Sequence, residues 1–308
     1  MLLNMGGPSH LSEVEVFLRN MFNDPYILSI KNPLIRKFVG YNIIKKRLEI
    51  AKDNYRAIGG KSPMVELSFA LCQNLSQKDP ENFYSYAMRY APPYTEMALQ
   101  EMQQKNIQKI HLFSMYPQYS TTTTLSSFKE VEKCLKKLNY KPVIHFTERY
   151  YNAPTYLKAI AQSIIENLGK KNARDYTLLF SAHSLPQSII DRGDPYQKEC
   201  EASLQGICKE LEKREIFFEN VLLGYQSRVG KMEWIGPSTK DLISQHKDKN
   251  LIIYPLSFTI DNSETLFELD IQYRELAEQI GVRDFILCPC LNASDAMAEI
   301  ILHFLKKE

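Results

Sequence analysis

His183 lies just beyond an apolar run and between two nearby serines, Ser181 and Ser184. An imidazole, with an ordinary pKa of about 6.5, is the natural proton acceptor at neutral pH. Taken alone it reads more readily as a satisfied structural histidine, and none of His10, His111, His145, His246 and His303 has a more telling setting. Glu264 and Glu268 stand four positions apart in a stretch where Leu266, Leu269, Tyr273, Leu276 and Ile280 make a helical apolar stripe. Asp261 is the expected cap of that helix and Gly281 its stop. On the opposite face the two carboxylates can approach one cation or pass a proton, or can simply be solvated. Tyr90, Tyr94, Tyr116 and Tyr119, with Trp234, suit either the lining of a flat apolar ligand site or ordinary core packing.

Other familiar chemistries find little support. No Gly-x-Gly-x-x-Gly follows any apolar run, which argues against a dinucleotide enzyme. Gly60-Lys61-Ser62 looks like the tail of a phosphate loop, but Tyr55 occupies the position of its first glycine and Pro63 follows. The six cysteines (Cys72, Cys134, Cys200, Cys208, Cys288, Cys290) form no Cys-x-x-Cys pair. Cys288 and Cys290, flanking Pro289, read as small buried hydrophobes or, less simply, as metal ligands.

The elements that must position these residues are short apolar runs, each followed by polar or aromatic residues and an amphipathic stretch, the pattern of parallel strands alternating with helices. Strands are expected at Met1 to Asn4, Phe83 to Met88, Ile110 to Met115, Val143 to Phe146, Thr177 to Phe180, Val221 to Tyr225, Leu251 to Pro255 and Phe285 to Cys288. Four per half, with the third of each running into a similar phrase (His111-Leu-Phe-Ser-Met-Tyr-Pro and Ile252-Ile-Tyr-Pro-Leu-Ser-Phe), predict a duplicated α/β unit. The predicted domains are 1–146 and 147–292, with a last helix at 293–306 able to pack back on the first. In open α/β sheets ligands gather at the carboxyl ends of strands, where Met5, Arg89, Tyr116, His183, Gln226 and the stretch from Ser257 to Glu264 fall.

The first connection is far longer than one crossover needs, so residues 10–60 are read as an insertion. Ser12-x-x-Glu15 predicts a capping box there, ahead of Val14, Phe17, Leu18 and Met21. From Pro25 to Leu48 the chain carries Lys31, Arg36, Lys37, Lys45, Lys46 and Arg47, no acidic residue and many apolar ones. Such a segment suits a surface touching anionic lipid or an amphiphilic acid, or else a partly buried helix pair with a solvated basic edge.

Composition is that of a globular protein: 308 residues, 44% hydrophobic and 24% charged, with a formal net charge of +2. Nothing approaches the roughly 18 apolar residues of a membrane span. The small net charge gives no reason to expect nucleic acid. No secretory signal pattern opens the chain, so the expected localisation is cytoplasmic, with reduced thiols and with peripheral contact at the inner face of a membrane through residues 25–48.

Eight phrases in consistent order resemble the ferrochelatase family: Leu3-Asn-Met-Gly-Gly-Pro8, Ile58-Gly-Gly-Lys-Ser-Pro63, Met88-Arg-Tyr90, Tyr116-Pro-Gln-Tyr-Ser120, Phe180-Ser-Ala-His-Ser-Leu-Pro186, Asp191-Arg-Gly-Asp-Pro-Tyr196, Tyr225-Gln-Ser-Arg-Val-Gly230 and Glu264-Thr-Leu-Phe-Glu-Leu-Asp270. The resemblance implies two Rossmann-like domains, each with a four-stranded parallel sheet, and a cleft between them in which protoporphyrin IX is bent to receive ferrous iron. It implies His183 as the acceptor of pyrrole protons and Glu264 as its acidic partner, both within reach of the metal, with Glu268 and Asp261 on a proton or metal path. It matches Met5, Lys46, Arg47, Tyr55, Ser62, Arg89, Tyr116, Gln226 and Trp234 to porphyrin-side positions.

Iron is then the substrate, and neither an organic cofactor nor an iron–sulfur cluster is expected. Cluster-bearing relatives place a cysteine where this chain has Thr121. Asn262 departs from a second histidine common in the family, Gln272 from a third acidic residue, and Lys61 from a glycine. Met5 is similar to the protoporphyrin branch, whereas the coproporphyrin branch commonly has tyrosine there. Two rivals remain at this level: a chelatase of the same fold acting on a cobalamin or sirohaem precursor, and a haem- or metal-binding carrier that needs no base.

Overall fold

The computed structural model describes residues 1–230 and 232–306. Eight strands form: β1 (Leu2–Asn4), β2 (Tyr86–Met88), β3 (Lys109–Ser114), β4 (Val143–Thr147), β5 (Tyr176–His183), β6 (Asn220–Gln226), β7 (Asn250–Pro255) and β8 (Asp284–Leu287). They assemble into two four-stranded sheets, ordered β2-β1-β3-β4 and β6-β5-β7-β8, in which every pair is parallel. The order is the same in both: the first strand of each half lies second, beside the third. The chain divides into two compact units, Met1–Glu148 with Ile301–Glu308, and Arg149–Ile300.

A parallel sheet covered by helices on both faces requires near-continuous apolar strands in its centre. β5 and β7 meet that requirement, with every residue of β5 from Tyr176 to Ala182 buried. β5 runs three residues past the expected Phe180, because Ser181 pairs with Gly224 and Pro255, and Ala182 and His183 pair with Tyr225 and Gln226. His183 is thereby the last residue of the strand. β8 stops at Leu287, one residue short of expectation: Cys288 still donates its amide to the Ile253 carbonyl at 2.8 Å, but Pro289 beyond it has no N–H to continue the ladder.

In the first unit Leu3, Ala87, Leu99, Met102, Ile110, Leu112, Phe128 and Val131 make the sheet core. The second is built on Leu179, Ile243, Leu251, Ile253, Leu269, Tyr273 and Ala277.

The long first connection holds three helices, Val14–Phe22, Pro33–Ala57 and Met64–Lys78. The expected capping box at Ser12 does not form. A short 3₁₀ turn, Leu11–Glu13, precedes the helix; His10 Nδ1 accepts from the Ser12 amide at 3.3 Å, and the Glu13 carboxylate takes the Ser9 amide at 2.9 Å. Glu15 is instead paired with Arg19. The 25-residue helix opens on Pro33, which lacks the N–H that position would leave unsatisfied, and Asn32 Oδ1 accepts the free Leu34 amide at 2.9 Å. Along it Leu34, Ile35, Phe38 and Tyr41 are exposed. Among the described residues no helix is long and apolar enough to cross a membrane.

Candidate active site

The site in the second unit is built at the ends of β5, β6 and β7. His183 is pinned by its backbone: its amide donates to Ser257 Oγ at 2.9 Å and its carbonyl accepts from Tyr196 Oη at 2.8 Å. After β7 the chain turns into a π-helical segment, Glu264–Gln272, which continues as the α-helix Tyr273–Ile280 and ends on the left-handed Gly281. Asn262, not Asp261, caps it, with Oδ1 accepting the Glu264 amide at 2.8 Å. The Asp261 carboxylate is turned to Asn292 Nδ2 at 2.6 Å and the Cys290 amide at 3.3 Å. A one-residue offset separates the two candidate caps, too small for sequence pattern to resolve.

The wide π turn brings Glu264 Oε2 to 2.9 Å from His183 Nδ1. An ionised carboxylate can only accept, so Nδ1 carries the hydrogen and the Nε2 lone pair is left to receive a proton. Burial alone would lower the imidazole's proton affinity. The Glu264 charge and hydrogen bond, with the Glu268 charge behind them, outweigh it and raise the pKa above the ordinary value. The His183 side chain is 36% exposed, and Phe258 stands edge-on to it, ring centroids 6.5 Å apart.

Glu268 points toward β6. Its Oε1 accepts from the Ser227 amide at 2.8 Å and Tyr273 Oη at 2.8 Å; its Oε2 accepts from Gln226 Nε2 at 3.3 Å and from Ser227 Oγ. Burial and this carboxylate push the Tyr273 phenol up, keeping it a donor. Glu268 also borders a cavity of about 430 Å³ shared with Arg228, Lys240 and Gln272. Trp234 is half-buried and donates Nε1 to the Val229 carbonyl at 3.1 Å.

In the first unit the porphyrin-side candidates separate into two groups. Met5, Ser62 and Tyr55 gather round the turn after β1. The Met5 carbonyl takes the Tyr90 amide at 2.9 Å and the Pro8 carbonyl takes the Ser62 amide at 2.8 Å. Gly6 (φ +79°) and Gly7 are required there: a Cβ on Gly6 would lie 2.7 Å from Met88 Cβ, and one on Gly7 2.5 Å from Ser62 Cβ. Lys46 and Arg47, by contrast, are exposed on the long helix.

Arg89 is committed to a buried network that sequence reasoning missed. Its guanidinium meets Asp24 Oδ2 at 2.9 Å and Ser126 Oγ at 3.0 Å, while Asp24 also accepts from Tyr90 Oη at 2.7 Å and from Ser126 Oγ. Asp24 follows a helix end and precedes Pro25, a setting that reads only as a turn. Tyr116 is half-buried, and burial raises its phenol pKa.

All six thiols are shifted against ionisation by burial: Cys72 and Cys288 to about 12, Cys134 and Cys208 to about 11, and Cys200 and Cys290 upward as well. Among the described residues no group of three or more His, Cys, Asp or Glu side chains is placed to hold a metal ion. His183 and Glu264 offer a pair of donors and leave the rest of a metal's shell to other ligands.

A sequence model of the family described as Ferrochelatase matches residues 1–308. The chain is 48% identical over 306 residues to the ferrochelatase of Helicobacter pylori strain P12, covering 99% of this chain and 92% of the relative. It is 50% identical over 306 residues to that of Wolinella succinogenes, covering 99% and 97%. Solved structures similar in fold include SirB from Bacillus subtilis with Fe³⁺ (TM-score 0.57, 13% identity, 79% of this chain and 88% of that one). CbiX, the terminal enzyme of sirohaem biosynthesis in denitrifying bacteria, gives a TM-score of 0.52 at 14% identity over 79% and 91%. At such identities these structures speak to the fold alone.

Proposed function

The chain belongs to the ferrochelatase family, and from that premise we propose that it inserts ferrous iron into protoporphyrin IX to give protohaem, with His183 as the base. Two pyrrole N–H protons must leave as Fe²⁺ takes their place among four nitrogens. The observation that carries the assignment is the 2.9 Å contact between His183 Nδ1 and Glu264, which orients Nε2 outward as a proton acceptor at a strand end. Glu264 holds the ring in that tautomer and stabilises the imidazolium that forms. The porphyrin must be held bent to expose its lone pairs, at a strain of about 1 to 5 kcal/mol drawn from binding the rest of the ring.

Met5, half-buried at the turn after β1, fits the apolar edge of such a macrocycle, and the buried Ser62 and Tyr55 are assigned to it as the residues that shape that turn. Tyr116 and Trp234 are assigned to the porphyrin side, and Gln226, buried with both ends of its amide held by Ser181 and Glu268, is assigned to it only through those partners. Lys46 and Arg47 supply exposed positive charge for its propionates. Arg89 is assigned to that side through its network rather than as a free cation. No organic cofactor is required, because the reaction exchanges protons for a metal ion without redox change. No iron–sulfur cluster is expected, because Thr121 stands where cluster-bearing relatives place a cysteine, and acid-labile sulfide in anaerobically purified protein would overturn that part. The stripe Leu34, Phe38 and Tyr41, flanked by Lys37 and Lys45, fits peripheral contact with an anionic lipid surface at the cytoplasmic face. Sedimentation with phosphatidylserine vesicles, lost in Phe38→Glu, tests it.

The deciding experiment is anaerobic incubation of the purified protein with Fe²⁺ and protoporphyrin. Time-dependent conversion of the porphyrin spectrum to that of haem is expected. A spectrum unchanged over hours would overturn the reading.

A further inference from the structure

We propose that Glu268 is a positioning residue whose carboxylate clamps the left-handed backbone of Ser227, and through it the segment that carries Trp234, rather than a ligand or relay for the metal. A carboxylate offers about four lone-pair sites, two on each oxygen. Here all four are taken: Oε1 by the Ser227 amide and Tyr273 Oη, Oε2 by Ser227 Oγ and Gln226 Nε2. The orientation of Gln226 is itself fixed, because its Oε1 accepts from Ser181 Oγ at 2.6 Å and leaves only the amide group to face Glu268. A metal ion approaching Glu268 would have to evict one of these donors and leave it unsatisfied.

What the saturated carboxylate holds is unusual. Ser227 has φ +65°, a left-handed conformation that a residue with a side chain seldom adopts unless its surroundings enforce it. Glu268 grips that residue twice, by its amide and by its hydroxyl. Directly beyond it, Arg228 Nη2 donates to the Ile235 carbonyl at 2.6 Å and Val229 accepts from Trp234. Ile235 and Glu233 in turn bond Leu185 and Gln187 at 3.0 and 2.9 Å, in the stretch just after His183. Trp234 is thus held from two sides, by its bridge to Pro186 in the stretch after the base and by the Val229 carbonyl that follows the Ser227 clamp.

The proposal rests on the ferrochelatase reading for its effect on turnover, but not for its first test. Trp234 is the single tryptophan of the chain, so its fluorescence reports the segment directly in porphyrin-free protein. Glu268→Ala should about double acrylamide quenching of that fluorescence, and adding Ser227→Gly should reverse about half of the rise, because glycine adopts a positive φ without steric penalty though nothing holds it there. In steady state, Glu268→Ala should raise the porphyrin KM about tenfold with a smaller change in kcat, and the double variant should recover at least half of that loss.

Should Glu268→Ala fail to fold, Glu268→Gln, which keeps the shape but turns an amide against the donors, is read in the same two ways. Unchanged quenching in a folded Glu268 variant overturns the clamp. So does a loss confined to kcat or to the iron KM that Ser227→Gly leaves untouched, the pattern of a metal or proton carrier. The rise in quenching and its partial reversal by Ser227→Gly, in a protein whose wild type inserts no iron, would support the clamp and overturn the functional reading instead.

Discussion

His183 and Glu264 are separated by 81 positions and come from different elements, the end of a strand and the first turn of a π-helical segment, yet Nδ1 and Oε2 lie 2.9 Å apart. Neither side chain folds the unit: the core beneath them is made by apolar strand residues. His183→Ala should therefore leave the circular dichroism spectrum and the thermal midpoint nearly unchanged while lowering iron insertion by about 10² to 10⁴. Retention of more than about a tenth of turnover would remove His183 from the role of base.

The same contact fixes the sign of a pH effect. A base works in its neutral form, and the Glu264 and Glu268 charges hold His183 above its ordinary value, so the acid limb of kcat/KM should lie above pH of about 6.5. Glu264→Gln removes the largest raising influence and leaves burial, which lowers the pKa. The acid limb should move to lower pH while the maximal rate falls. In stability terms a raised imidazole pKa favours the folded state below its unfolded value, and that contribution fades as pH rises through the folded value. A limb that stays put, or moves upward, contradicts the pairing.

Because both residues serve one step, their losses should not add. The double variant should be about as slow as His183→Ala alone, within roughly threefold, in a double-mutant cycle on kcat/KM. Full additivity would assign them to separate steps.

Asp24 predicts a stability effect far from the base. Its carboxylate is fully buried and meets the Arg89 guanidinium, itself 17% exposed, at 2.9 Å. Asp24→Asn leaves the largely buried Arg89 cation with only the longer Glu130 contact at 3.6 Å and should cost about 1 to 3 kcal/mol in urea unfolding. A loss below about 0.5 kcal/mol would show that water reaches Arg89 readily.

Substrate choice is tested at the turn after β1. Met5 presents an apolar side chain, so protoporphyrin should turn over faster than coproporphyrin under matched conditions; the reverse order would reassign the substrate. Gly7→Ala, whose Cβ would collide with Ser62 Cβ, should destabilise the protein by about 1 to 3 kcal/mol and raise the porphyrin KM.

Much of this arrangement is legible in the sequence, for a physical reason. The inner strands β1, β3, β5 and β7 are largely buried and so read as apolar runs, while the edge strands β4 and β8 are only partly covered; a residue such as His183 at the end of an inner strand must sit at the carboxyl edge. What escapes is whatever depends on one-residue offsets or distant partners. The 3₁₀ turn ahead of the first helix is capped by His10, with no capping box at Ser12, and the second-unit helix is capped by Asn262 rather than Asp261, because neighbouring polar residues compete for the same amides. Asp24 and Arg89 are 65 positions apart, and Ser227 gives no sign of its backbone until Glu268 is found against it. No spacing rule connects such pairs.

Burial of the thiols has a practical side. The thiolate is the nucleophile in alkylation, and all six cysteines are held toward the protonated form. The protein is thus close to a cysteine-free scaffold without any cysteine having been removed. One new thiol on the exposed helix, as in Phe38→Cys, would take a maleimide dye at neutral pH ahead of the native six, and a single fluorophore could then follow that helix against a lipid surface in real time.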